Sequence, residues 1–214
     1  MQIAILGTGK MARGIAWALR ETAHDLTLGS REPQRAEALA REMEAENARK
    51  FRGASYQAAA SRADVVFLAV PFDAAAALVS SLRAELADKI LVDITNPLND
   101  EYDGVTTLDG TSAAEEIARA AGPRVKVVGA LKHTFAGTFA EPHIGGGAAP
   151  DVLIVGDDAE AKKTVAGLVE AMGFGALDAG KLKVARTLER MTVVLIDLAT
   201  RNQWNWNAGF KLVR

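Results

Sequence analysis

The sequence predicts an α/β fold in which helices cover both faces of a mostly parallel sheet. Short apolar runs alternate with Ala-, Glu- and Arg-rich stretches of helical character, and that order is typical of parallel strands joined by crossover helices. One run, DVVFLAV at 64–70, is apolar without alternation, as in a strand that is covered on both faces. We therefore predict a doubly wound parallel sheet followed by a small C-terminal α/β lobe.

The N-terminal part of the chain alternates strands and helices in regular order. The predicted strands cover residues 2–6, 25–29, 52–55 and 64–70. The predicted helices cover residues 11–21, 33–48, 56–62 and 74–86. Each of these strands is thus followed by a helix, which is the repeating unit of a parallel sheet.

The C-terminal part repeats the alternation until a loop rich in Gly, Ala and Pro, EPHIGGGAAP at 141–150. We place a domain boundary there, which gives a main domain at 1–150 and a small lobe at 151–214. Before the boundary we predict two strands with a helix between them, at 89–95, 112–121 and 125–131. After it we predict a strand, a helix, a short strand and a long helix, at 151–156, 159–172, 175–180 and 182–201.

The long helix at 182–201 is apolar around most of its circumference, since Val193, Val194, Ile196 and Leu198 widen the stripe that faces the core. A helix of this kind requires burial on several sides. Either it forms an interface between two subunits or it is buried in its own lobe, and the sequence leaves both open.

Composition excludes several classes of protein. The net charge of -2 and the pI of about 6.0 give no basic surface for a nucleic acid, so we expect none as a partner. No apolar run approaches the roughly 20 residues that span a bilayer, and no positively charged segment precedes the first predicted strand, so we expect neither a membrane span nor a signal peptide. Cysteine is absent and the three histidines are scattered, so we expect no disulfide, no metal site and a cytoplasmic location.

A glycine-rich turn follows the first predicted strand and opens the first predicted helix. Its residues are Gly7, Thr8, Gly9, Lys10 and Met11. Gly7 permits the tight turn and Gly9 lets the backbone approach a diphosphate, which the helix N-terminus then faces. This context predicts a dinucleotide-binding domain of the Rossmann type.

The end of the second strand selects the kind of dinucleotide. An NAD protein carries an acid there to bind the ribose hydroxyls, whereas this chain has Ser30 and Arg31, with Arg35 one helical turn further on. A hydroxyl and two guanidinium groups suit a 2′-phosphate. We therefore expect NADP(H) rather than NAD(H).

Two further turns lie at the carboxyl ends of predicted strands, where ligands bind in open α/β sheets. Val70 and Pro71 follow the fourth strand, and Asn96 and Pro97 follow the fifth. We expect these four residues to line the cofactor. Ordinary turn chemistry is the alternative, because Asn-Pro is a common turn dipeptide.

Taken together, these residues resemble the F420-dependent NADP oxidoreductases, which are NADPH-dependent reductases of the deazaflavin coenzyme F420. The resemblance extends over almost the whole chain. It rests on the segments ILGTGKMARGIA from Ile5, GSREPQRA from Gly29, ADVVFLAVPFDAA from Ala63, LVDITNPL from Leu91, HTFA from His133, VGDDAEAKK from Val155 and LDAGKLKVARTLE from Leu177. The Ser-Arg pair followed by Arg35 is the most specific of these features.

The resemblance implies a homodimer in which NADP(H) lies over the carboxyl edge of the sheet and the deazaflavin, or a flavin, stacks on the nicotinamide. The diphosphate loop would include Thr8, Lys10 and Met11, the 2′-phosphate site Ser30, Arg31 and Arg35, and the nicotinamide side Pro71, Asn96 and Pro97. The second redox substrate would lie near His133, Thr134 and Phe135. Direct hydride transfer requires no acid or base. His133 could donate to a ring carbonyl, and the alternative is a histidine that only satisfies backbone groups.

Two segments depart from the family pattern and leave the acceptor open. They are ALKHTFAG at 130–137 and the tail Trp204-Asn205-Trp206-Asn207. One alternative function is an imine reductase similar to the pyrroline-5-carboxylate reductases, whose C-terminal region is longer and mostly helical. The other is an NADPH-binding redox-sensing module without turnover.

Overall fold

The computed structural model describes residues 1–47, 50–107 and 110–213. Within them, eight strands form one sheet in the order β3-β2-β1-β4-β5-β6-β7-β8. Their bounds are β1 Gln2–Leu6, β2 Asp25–Ser30, β3 Arg52–Ser55, β4 Val65–Leu68, β5 Ile90–Asp93, β6 Lys126–Gly129, β7 Asp151–Gly156 and β8 Gly175–Gly180. The α-helices are α1 Lys10–Ala18, α2 Pro33–Asn47, α3 Tyr56–Arg62, α4 Phe72–Ser81, α5 Arg83–Leu86, α6 Ala113–Ala121, α7 Ala159–Ala171 and α8 Ala185–Arg201.

Helices cover the sheet on both faces, which confirms the predicted fold class. Ile3 and Ile5 of β1 pack on one face with residues of α1, α2 and α7. Ala4 and Leu6, the alternate residues of the same strand, pack on the other face with α3, α4, α6 and α8. Because both faces are buried, the strands read as continuous apolar runs in the sequence.

The predicted domain boundary falls inside this sheet. Strands β1 to β6 are parallel to their neighbours, but β7 pairs antiparallel with β6, and β8 then pairs parallel with β7. The chain direction therefore reverses at residue 150 while the hydrogen-bonded sheet continues. A division into two separately folded units stays a prediction.

Two predicted helices differ in detail from the structure. The helix expected at 74–86 begins at Phe72, with Pro71 as its N-cap residue, and it divides at Leu82 into α4 and α5. The helix expected at 182–201 begins with a 3₁₀ turn at Leu182–Val184 before α8. Ala48, the predicted last residue of the second helix, lies outside the described residues.

Helix α8 lies against α6 and the end of the sheet. It buries Leu188, Leu195 and Ile196, while Val194 on the opposite side is 53% exposed. In the part of the chain that the structure describes, no helix combines the length and the apolar character needed to cross a bilayer.

Candidate functional site

The carboxyl ends of β1, β2, β4, β5 and β6 meet at one edge of the sheet because these strands are parallel. The loops that leave them form a groove with two cavities. One cavity lies beyond β2 and the other beyond β4 and β5, and both are lined by Val70 and Pro71. This edge is where ligands bind in open α/β sheets.

The turn after β1 is held by close backbone packing. Gly7 has a φ of +136°, and a Cβ at this position would lie 2.1 Å from the carbonyl oxygen of Ala69. A Cβ on Gly9, in contrast, would meet no protein atom of the described residues within 4 Å. Gly9 begins α1 without a side-chain cap, so the helix N-terminus opens onto free space of the kind that an anion fills.

The cavity beyond β2, which we call the adenosine cavity, has a volume of about 470 Å³ and brings together Thr8, Ser30, Arg31 and Arg35. Ser30 is buried, and its Oγ accepts a hydrogen bond from the backbone N–H of Glu32 at 3.3 Å. The guanidinium of Arg35 pairs with the Glu32 carboxylate at 3.0 Å between Nε and Oε2. The structure thus places four cationic or hydroxyl groups at one end of the groove, with one competing acid.

An apolar wall completes the adenosine cavity. It is formed by Tyr56, Val70, Pro71, Ala74 and Leu78. Burial raises the pKa of the Tyr56 hydroxyl, and the positive charge of Arg31 opposes this shift. Our sequence analysis missed Tyr56, although it could have been found, because it directly follows β3 at the same carboxyl edge.

The second cavity, which we call the nicotinamide cavity, has a volume of about 380 Å³. Its lining includes Gly9, Lys10 and Met11 from the turn after β1, Val70 and Pro71 after β4, Asn96 after β5, and Leu131 and Thr134 after β6. The side-chain oxygen Oδ1 of Asn96 is buried, and among the described residues it has no hydrogen-bond partner. Asn96 is one of the residues that line the cavity, so this unpaired acceptor belongs to the cavity wall.

Comparisons with known proteins identify the family to which this chain belongs. The family model described as NADP oxidoreductase, coenzyme F420-dependent, matches residues 2–97. The F420-dependent NADP reductase of Methanothermobacter marburgensis is 32% identical over 99% of this chain and 98% of that protein. The chain belongs to the F420-dependent NADP reductase family.

Two further proteins are similar to this chain. A crystal structure described as an F420-dependent NADP reductase from Arthrobacter sp. FB24 superposes with a TM-score of 0.86 at 29% identity, over 100% of both chains. The rat metalloreductase STEAP3 is 33% identical over 91% of this chain, which corresponds to 37% of that longer protein. A fold of this family is therefore also found in a protein named for reducing a metal.

Not every residue predicted for the NADP reductase site lines the groove. Pro97 is buried beside it, and its carbonyl oxygen accepts hydrogen bonds from the N–H and the hydroxyl of Thr106. Phe135 is buried against Leu195 and meets the ring of Trp206 edge to face at 5.3 Å. Neither residue is among those that line the two cavities.

His133 is also buried, with only 1% of its surface exposed, and it is not among the residues that line the nicotinamide cavity, so its contact with a ring carbonyl of the substrate stays a prediction. Its Nε2 is 3.1 Å from the carbonyl oxygen of Asp151, and its ring packs on Phe210. Burial lowers the pKa of the imidazole, although the hydrogen bond to Asp151 opposes the shift. Of the three residues predicted for the second substrate, Thr134 alone reaches the cavity.

Sequence analysis also missed a buried ion network directly behind the nicotinamide cavity. Lys132 lies between the carboxylates of Asp93 and Glu189, and all three side chains are at most 2% exposed. One signal was available, since Asp93 interrupts the apolar run of β5. Its partners could not be identified from the sequence because they come from distant elements.

Proposed function

We propose that the protein transfers a hydride between NADPH and a planar ring acceptor, either the deazaflavin coenzyme F420 or a flavin. One observation carries the proposal, namely that a single groove has hydroxyl and guanidinium groups at one end and the unpaired amide oxygen of Asn96 in its wall at the other. Val70 and Pro71 line both cavities and so connect the two ends. Membership of the F420-dependent NADP reductase family supports the choice of cofactor and acceptor.

In this proposal each part of the groove holds one part of NADP(H). The diphosphate lies against the turn formed by Gly7, Thr8, Gly9, Lys10 and Met11. Ser30, Arg31 and Arg35 bind the 2′-phosphate, and Tyr56 packs on the adenine side. The nicotinamide lies against Val70 and Pro71, with its carboxamide donating to Oδ1 of Asn96.

When bound, the two redox rings supply the chemistry, since a hydride passes directly from the nicotinamide to the acceptor. The residues of the groove hold the rings in register and keep water away from them. Thr134 is the predicted second-substrate residue that remains available for the acceptor. No side chain of the groove needs to gain or lose a proton in this step.

The test of cofactor choice is the double variant Arg31→Ala/Arg35→Ala. Two guanidinium groups on one phosphate contribute a few kcal/mol together, so the Kd for NADPH should rise about 100-fold and the Kd for NADH should change little. Titration of each cofactor by fluorescence measures both constants. Arg41→Ala, an exposed arginine of α2 outside the cavity, is the matched control. Equal weakening of both cofactors would contradict this placement.

The acceptor is tested by the rate of NADPH oxidation with coenzyme F420, with flavin mononucleotide, with a ferric chelate, with a cyclic imine and without acceptor. Rapid turnover with F420 or the flavin is expected. Turnover with the cyclic imine alone would favour the imine reductase alternative. Tight NADPH binding without any turnover would instead identify a redox-sensing module.

We propose in addition that two copies associate through α8, in the reducing cytoplasm that a cysteine-free chain is suited to. Val194 and Leu198 are 53% and 37% exposed on this helix, and Trp204 and Trp206 of the tail are 45% and 50% exposed nearby in the chain. Exposed apolar groups concentrated in one segment are typical of an interface. Val194→Glu/Leu198→Glu should give a monomer in sedimentation, while Lys163→Glu on α7 should not change the mass.

A further inference from the structure

The buried charges behind the nicotinamide cavity form a closed network, which we call the ion triad and define as Asp93, Lys132 and Glu189. The ammonium Nζ of Lys132 is 2.8 Å from Oδ2 of Asp93 and 2.9 Å from Oε1 of Glu189. The ammonium also donates a hydrogen bond to the carbonyl oxygen of Thr95, at 2.7 Å. All three donors of the ammonium are therefore used.

The carboxylates of the ion triad have their own backbone partners. Oδ1 of Asp93 accepts from both the N–H and the hydroxyl of Thr95. Glu189, on α8, accepts from the N–H groups of Ala113 and Ala114 at the start of α6, at 2.8 and 3.2 Å. The triad thus joins the ends of β5 and β6 to two helices.

Two of the loops that line the nicotinamide cavity are fixed by the same lysine. Its ammonium holds the carbonyl of Thr95, and its own carbonyl oxygen accepts from Nδ2 of Asn96 and from the hydroxyl of Thr192. Since Nδ2 of Asn96 is occupied in this way, the orientation of the amide is set, and Oδ1 is the amide atom that has no hydrogen-bond partner among the described residues. The preceding residue, Leu131, also lines the cavity and has a φ of +56°, a conformation that few residues other than glycine adopt.

Burial and pairing act in opposite directions on the charged groups of Lys132 and Glu189. Burial by itself would lower the pKa of the Lys132 ammonium, but the two carboxylates outweigh it and the pKa is raised above its usual value. Burial raises the pKa of the Glu189 carboxyl, and Lys132 opposes that shift. Well-packed apolar residues often stabilise a core as well as a buried ion network does, so stability alone does not explain this one.

We propose that Lys132 is a positioning residue, which through Thr95 and Asn96 fixes the orientation of the nicotinamide ring relative to the hydride acceptor. This inference rests on the proposed function, because it assigns a role to the back wall of the same groove. In this proposal the residues around the adenosine cavity provide affinity for NADPH, and the ion triad fixes the orientation of the nicotinamide ring.

The test is a triple variant, Asp93→Asn/Lys132→Met/Glu189→Gln, which removes all three charges at similar volume. Because no buried charge is left without a partner, it should fold with a thermal midpoint close to that of the parent. The carbonyl of Thr95 then lacks its ammonium partner and the loop carrying Asn96 is less constrained. We expect kcat to fall about 10- to 100-fold while the Kd for NADPH changes less than about threefold.

Two measurements distinguish a positioning role of the ion triad from a purely structural role. The emission of bound NADPH reports on the environment of the nicotinamide and should change in the triple variant without any acceptor present. The control Glu115→Gln/Arg186→Met removes another ion pair between α6 and α8 that does not contact the cavity loops. It should leave both kcat and the emission unchanged.

A second, milder variant covers the case in which the triple variant does not fold. Thr192→Val removes the hydroxyl that donates to the carbonyl oxygen of Lys132 at 2.9 Å, with almost no change in volume. We expect a decrease in kcat of about threefold or more, with recovery in Thr192→Ser. A folded triple variant, or Thr192→Val, with unchanged kcat and emission would overturn the proposal. If the parent protein has no turnover with any acceptor, the proposed function fails, while the NADPH emission still tests the position of the ring.

Discussion

The two ends of the groove are built in different ways. At the adenosine cavity, Ser30, Arg31 and Arg35 lie within six positions of one another, and the arginines are exposed to solvent. At the nicotinamide cavity, the lining is held by Asp93, Lys132 and Glu189, which come from three distant elements and are buried. Exposed charges provide affinity that salt can screen, whereas buried charges impose a geometry that salt hardly affects.

The largest effect is expected in the turn that both cavities share. In Gly7→Ala, the new Cβ would lie 2.1 Å from the carbonyl oxygen of Ala69, at a φ of +136° that alanine rarely adopts. The strain and the clash should lower the free energy of unfolding by about 3 kcal/mol or more. Urea denaturation measures the change.

Gly9→Ala is the matched control, since its Cβ meets no described protein atom within 4 Å. It should change the stability by less than about 1 kcal/mol. If the diphosphate lies beside Gly9, the methyl group occupies its place and the Kd for NADPH should rise at least about tenfold. Equal stability losses in the two variants would remove the distinction between a glycine that the fold requires and one that the ligand requires.

The same contrast explains how much the sequence could predict. The alternation of strands and helices depends on periodicity within each segment, so the order and the type of the elements were predicted correctly. The continuation of the sheet past residue 150 was not predicted, because the pairing of β7 with β6 is a tertiary contact that leaves no local pattern. The split at Leu82 was likewise not predicted, because no glycine or proline marks it in the sequence.

The two ends of the candidate site also differ in how well the sequence predicts them. The adenosine end is formed by the glycine-rich turn and by residues at the end of β2, and a local sequence pattern identifies both. At the nicotinamide end, the sequence identified Asn96 and Thr134 but also proposed His133, which the structure buries. A histidine at a strand end is equally compatible with a backbone hydrogen bond, and burial is set by Phe210 and Asp151, far along the chain.

A smaller effect concerns His133 and tests the buried end. Its pKa is lowered in the folded protein because burial disfavours the charged ring, so the unfolded chain binds a proton first as the pH falls below about 6.5. This group therefore reduces stability below that pH. In His133→Gln, which keeps a donor for Asp151, the loss of unfolding free energy between pH 7.5 and 5.5 should be smaller by about 1 kcal/mol.

The control for this prediction is His143→Gln, because His143 is exposed at the surface. Its substitution should leave the dependence of stability on pH close to that of the parent. Urea denaturation at both pH values provides the comparison. If the two variants lose the same stability on acidification, burial of His133 does not control the response.

The smallest effect is expected at the exposed end, from the acid that competes with the cofactor. Glu32 pairs with Arg35 at 3.0 Å, and the two side chains are 51% and 65% exposed, so the pair contributes at most about 1 kcal/mol. Glu32→Gln releases Arg35 and removes a negative charge beside the proposed 2′-phosphate site. The Kd for NADPH should fall up to about fivefold at low salt, with little change for NADH.

Salt makes this last prediction specific. Because both charges are exposed, the gain in NADPH affinity should shrink when the ionic strength is raised to about 1 M, where the Debye length is only about 3 Å. Glu37→Gln, on the helix α2 that also carries Arg35 but outside the adenosine cavity, should give no gain in NADPH affinity at either salt concentration. A gain that persists at high salt would indicate a change in the shape of the cavity, and the adenosine end would then depend on geometry as the nicotinamide end does.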